Sequence, residues 1–239
     1  MIKKILSTLL VSSALLVSST FSAMSERPTI AIGGSVNYGG YVASGQENEG
    51  TLNHSAFQAT ETSKRTAAME VGYSSAFLEV NMRDRLTIGV EYMAAEVETD
   101  KESRTDTIAP ADATVGGTTG DTGTSSVKVQ FSDMVTVYAE LRVLNGMYIK
   151  AGSMQIDVES KESLHTSSSY GNITLDGIAY GLGYKNSWDN GMFLKAETMM
   201  HDWDSFKLSA TSDDAVPNGN TVEGNLDGAI LSIRLGKAF

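Results

Sequence analysis

Seven charged residues sit in an unusual setting, each inside a stretch where apolar residues occupy every second position. They are Glu91, Glu140, Arg142, Lys150, Lys195, Glu197 and Arg234. Opposite charges gathered on one face can neutralise each other away from water, or they can line a narrow path for ions. Four bases against three acids come close to neutral. Three histidines, His54, His165 and His201, offer a different chemistry, and His201-Asp202-Trp203-Asp204 is the densest cluster. No nucleophile lies at a recognisable spacing from any of them, so the chain reads as non-enzymatic, without a catalytic residue or a histidine metal site. Acidic residues are scattered through two polar segments: Asp100, Glu102, Asp106, Asp112 and Asp121, then Asp204, Asp213, Asp214 and Glu223. Their spacing does not match a calcium loop, and they read as a solvated acidic surface. No cofactor is implied.

The elements that must position these charges have a period of two, the period of a pleated strand. Ile30, Ile32, Val36 and Tyr38 share one face, as do Leu86, Ile88, Val90 and Tyr92, and Ile178, Tyr180, Leu182 and Tyr184. Val127, Val129, Phe131, Val135, Val137, Ala139 and Leu141 all fall in one phase. Around residues 69–80 the phase is divided, with Val71, Tyr73 and Phe77 on one face and Leu78 and Val80 on the other, which suggests a bulge. Connections alternate between short (81–85, 144–146, 186–191) and long (about 43–66, 98–125, 159–172, 203–223). The count is eight strands, with both ends of the set on the short-turn side. The second long segment holds the low-complexity tract TVGGTTGDTGTSS.

Residues 1–23 carry Lys3 and Lys4, an apolar run too short to span a bilayer comfortably, and small residues at its end; they read as an export signal cut between 22 and 25. Residues 24–239 then form a single domain. Loss of the two lysines takes the net charge from −11 to −13, which argues against nucleic acid as a partner. With no cysteine, an exported chain of this kind has no disulfide framework to hold it.

Connections sorted by length suit a closed barrel in a membrane, where every backbone group must pair within the sheet. A soluble sandwich has no reason to sort them. Charged residues alternate with the apolar phase, so the expectation is an all-β, eight-stranded antiparallel up-and-down transmembrane barrel with the charges inside. Glu140 should pair with Lys150 and Glu197 with Arg234, while Gly177, Gly181 and Gly183 make room for Tyr138, Tyr148 or the long cations. An eight-stranded barrel is just wide enough to be filled by its own side chains, so a salt-bridged plug is expected and a narrow pore is the alternative. Tyr38, Tyr92, Tyr184, Trp188, Trp203 and Phe239 lie near strand ends, where interfacial belts form; Trp203 and Phe206 would mark the outer interface.

The stretch ILSIRLGKAF places Leu231, Ile233, Leu235 and Phe239 on one face. It resembles the membrane insertion signal of small Gram-negative outer-membrane barrels of the OmpA, OmpX and opacity type, although Lys237 stands where that family often has an aromatic or apolar residue. The resemblance implies insertion by the outer-membrane assembly machinery and contact with outer-membrane lipid and lipopolysaccharide. It implies no particular activity. Envelope integrity and surface interaction through the long acidic loops is the expected role, with a pore next and a rim enzyme last.

Overall fold

The computed structural model describes residues 28–48, 62–82, 85–93, 95–108, 121–163, 169–210 and 221–239. The export signal, His54, His165, Asp112, Asp213 and Asp214 lie outside the described residues. Eleven strands form one antiparallel sheet: β1 (Thr29–Asn48), β2 (Thr62–Met82), β3 (Leu86–Met93), β4 (Val97–Glu98), β5 (Glu102–Ile108), β6 (Asp121–Arg142), β7 (Met147–Ser163), β8 (Ile173–Ser187), β9 (Met192–Trp203), β10 (Phe206–Ser209) and β11 (Thr221–Ala238). Three of them, β4, β5 and β10, are short outward extensions. The other eight follow the order β1-β2-β3-β6-β7-β8-β9-β11, and β11 pairs back onto β1 from Ala31↔Ala238 to Asn48↔Thr221. The ring has no free edge at this seam, as hydrocarbon requires of a spanning sheet.

The pleat sorts the side chains. Along β9 the burial alternates without a break, and along β11 Leu231, Ile233 and Leu235 face out while Ser232 and Arg234 face in. Outside the ring Ile30, Ile32, Val36, Leu78, Val90, Ile149, Ile178 and Leu182 form an apolar band, bordered by Tyr38, Tyr92, Tyr184, Trp188 and Phe239. Trp203 departs from the expected belt: it is 3% exposed and points into the lumen, and Phe206 packs against the same interior cluster.

Two turns show why the short side is short. Gly146 (φ 76°) and Gly191 (φ 82°) occupy the left-handed region, and Val143 and Trp188 donate across their turns to the Met147 and Met192 carbonyls at 3.0 and 2.9 Å. Residues 69–80 contain no bulge, since β2 keeps an unbroken register with β1. The bulge lies in β6 instead, where the register slips between Ser132 and Val135 and Asp133 adopts φ 53°. The single phase expected for β6 is therefore broken: Phe131 joins the interior cluster, whereas Val135, Val137, Ala139 and Leu141 alternate with the buried Met134, Thr136, Tyr138 and Glu140.

Candidate functional site in the barrel lumen

Most interior charges are flanked by outward apolar residues, so the pleat that sends Leu194 or Ile233 outward sends Lys195 or Arg234 inward. Lys195 donates to Glu79 Oε1 at 2.6 Å and to the two Glu140 oxygens at 2.8 and 2.7 Å. Lys150 donates to Glu197 Oε2 at 2.9 Å and stands 3.7 Å from Glu91. Arg234 lies 3.1 Å from Glu91, 3.3 Å from Glu197 and 3.6 Å from Glu79, three carboxylates from three strands. Two tyrosines complete the set. Tyr138 accepts from Arg234 Nη2 at 2.6 Å and donates to Glu79 at 2.8 Å, and Tyr148 donates to Glu197 at 2.6 Å.

The space for these rings comes from glycine. A Cβ on Gly89 would fall 2.5 Å from the Tyr138 ring, and one on Gly183 would fall 2.4 Å from the Tyr148 ring. Gly181 and Gly177 serve Met199 and Trp203 instead. Cations also stack on faces, with Lys150 4.0 Å from the Tyr138 centroid and Arg234 4.2 Å from that of Phe77. On one side a polar apron extends the network: Ser35 donates to Glu91 at 2.7 Å, Ser75 at 2.5 Å, and Asn37 bonds both serines.

Six of the seven residues expected in the layer, Glu91, Glu140, Lys150, Lys195, Glu197 and Arg234, thus meet. Arg142 does not: it is exposed as the last residue of β6, although its phase is that of Glu140. Glu140 and Lys150 are register partners, yet their heads turn to Lys195 and Glu197 across the lumen. Glu79, fully buried, is the member that parity hid. The network therefore holds three cations and four carboxylates.

On every strand that contributes to it, the outer-half cluster lies to the long-connection side of the charges. It comprises Val71, Met93, Met134, Met154, Ile156, Leu175, Met199, Trp203, Leu226 and Ile230 among others. His201 is buried here rather than in a loop, with Nδ1 2.7 Å from the Tyr41 hydroxyl. Its neighbour Asp202 faces the opposite side of the sheet, so no histidine–carboxylate pair forms.

Beyond the ladders the extensions carry their own ion pairs. Hydrogen bonds from Lys128 and Lys161 hold the Glu98 carboxyl below the usual carboxylate range. Lys207 pairs with Glu223, and the Tyr170 hydroxyl donates to Glu47 at 3.0 Å.

No protein-family model matches the chain, and no curated protein sequence does. Solved structures with a similar course include outer-membrane proteins. The outer membrane protein OprG of Pseudomonas aeruginosa is 10% identical over 87% of this chain and 96% of its own, with a TM-score of 0.45. Neisserial surface protein A is 13% identical over 85% and 97%, TM-score 0.36. The outer membrane protease OmpT of Escherichia coli is 9% identical over 88% and 97%, TM-score 0.38.

Proposed function

We propose that this chain is a non-enzymatic outer-membrane barrel that serves envelope integrity and surface interaction through its long acidic connections, with its lumen closed by a salt-bridged plug. What supports the plug is a single geometric fact: direct ion pairs join β2, β3, β6, β7, β9 and β11, six of the eight walls, across the interior. Water or ions passing through would have to displace contacts of 2.6–3.7 Å between buried groups. The outward apolar band and closed ring support a membrane setting. Insertion by the assembly machinery and contact with lipopolysaccharide belong to the same proposal.

One observation favours the narrow pore instead. The Glu91 side chain is 13% exposed, whereas its partners Lys150 and Arg234 are at 3% and 0%. Conductance in a planar bilayer separates the two, after folding is confirmed by a heat-dependent gel shift and β-type circular dichroism. The plug reading expects a silent protein that conducts once Lys150→Ala and Arg234→Ala are introduced. Steady ion-selective steps from the unaltered protein would overturn it.

A further inference from the structure

The interior of a membrane barrel is ordinarily polar, but the outer half of this one is walled by apolar side chains, among them Tyr41, Val71, Met93, Met134, Trp203 and Leu226, around a small, partly open apolar void. Three further features converge on that void. The first is the wall beside it. The β2–β3 ladder ends at Ala76↔Tyr92, while β2 continues to Thr62 with β1 as its ladder partner, and β4 pairs with β6. Among the described residues β2 therefore has no ladder partner on this side beyond Ala76. Here β2 and β4 come within 8 Å of each other at their Cα atoms but share no ladder among the described residues. Val71 and Tyr73 face the void from one side, Val97 and Phe131 from the other. The unpaired stretch lies at the level of the outward Tyr38, whose register partner is Gly72.

The second feature is a weakly used donor. Trp203 Nε1 is buried without a hydrogen bond of good geometry; the Tyr41 hydroxyl beside it also bonds His201 Nδ1. A buried N–H left unpaired is costly, and an acceptor brought in by a ligand would relieve it. The third is the wall material. Met93 and Met134 line the void, and Met154 and Met199 back it. The void is only about 20 Å³, so an occupant larger than water needs walls that move. Unbranched thioether chains repack more readily than any other apolar side chain.

We propose that the outer half of the lumen binds a small apolar molecule carrying one hydrogen-bond acceptor, admitted from the surrounding lipid through the unpaired stretch between β2 and β4. Trp203 Nε1 donates to the acceptor, and the methionines reshape around the apolar body. The site is independent of the plug, since it uses none of the plug's charged residues.

Trp188 and Trp203 are the chain's two tryptophans, so Trp188→Phe leaves the proposed donor as sole reporter. The test uses full-length protein in lipid nanodiscs, with 6-bromohexan-1-ol as a quenching probe. Trp203 fluorescence is expected to fall along a saturable curve. A Trp203→Phe variant, which keeps the outward Trp188, is expected to show only the linear quenching of a probe dissolved in lipid. Leu226→Phe or Met134→Phe, each in the Trp188→Phe background and checked by gel shift, fills the void and should abolish saturation. The probe without its hydroxyl, 1-bromohexane, should bind roughly fivefold more weakly, the worth of one net hydrogen bond. Linear quenching of Trp203, or saturation that survives filling the void, overturns the site. Equal affinity for the two probes overturns the role of the indole N–H.

Discussion

The two halves of the lumen are built on the same strands and the same pleat, yet they hold themselves together by opposite means. In the inner half three cations and four carboxylates are fixed by direct bonds, and Arg234, Lys195 and Glu79 are wholly removed from solvent. In the outer half the contacts are mostly apolar and non-directional, and methionine supplies four of the twelve buried members of the cluster. The contrast separates rigidity from adaptability. A buried ion network has few geometries in which every member is satisfied, so losing one member strands the rest. An apolar, methionine-rich chamber has many packings of similar energy.

The largest expected effect belongs to Arg234→Met. It leaves Glu79, Glu91 and Glu197 short of a cation and should cost about 3–5 kcal/mol, read from the urea midpoint of the gel-shift transition. An unchanged midpoint would mean that the inner half is not held by its charges. Met154→Ala tests the outer half and should cost about 2 kcal/mol, the low end for such truncations, because neighbouring methionines can collapse into the space. A loss as large as that of Arg234→Met would erase the contrast. Smaller again is Asp133→Val at the bulge that lets β6 serve both halves. A β-branched residue forced to φ 53° should lose about 1–2 kcal/mol in the same unfolding assay; no loss would show that the bulge relaxes freely. Glu98→Gln, outside both halves and exposed, should change stability least of the four. Because the folded Glu98 carboxyl titrates below its ordinary 4.5, its small contribution is present above that value and fades as pH falls through the lower folded one. A difference between the two proteins that persists or grows at acid pH would contradict that sign.

The outward face was legible because lipid demands one kind of side chain there, and Ile30, Ile233 or Leu182 obey a strict period of two. The interior was legible only where it is charged. Taking the polar phase as the interior placed Glu91, Glu140, Lys195 and Arg234 correctly in phase, but it divided β2, because Val71, Tyr73 and Phe77 are apolar and point inward too. Glu79 was hidden by that ambiguity. Its signal was present in Leu78-Glu79-Val80, a carboxylate between two large apolar residues, the same local pattern as Val90-Glu91-Tyr92. Trp203 was misplaced for the related reason that an apolar lumen and an interfacial belt ask for the same residue. Arg142 shows a different limit. Parity gives the face of a strand but not the height at which a side chain leaves the cluster for solvent, and ion-pair choice across a lumen depends on side-chain reach as well as on register.

The seam between β1 and β11 also ties the wall to its filling. Glu79 and Glu91 lie on β2 and β3, whereas Arg234, the cation both of them meet, lies on β11, across the seam from β1. Backbone pairing at the seam and charge neutralisation in the lumen therefore share one strand: parting β1 from β11 would open the ring and draw from two carboxylates the arginine that faces them.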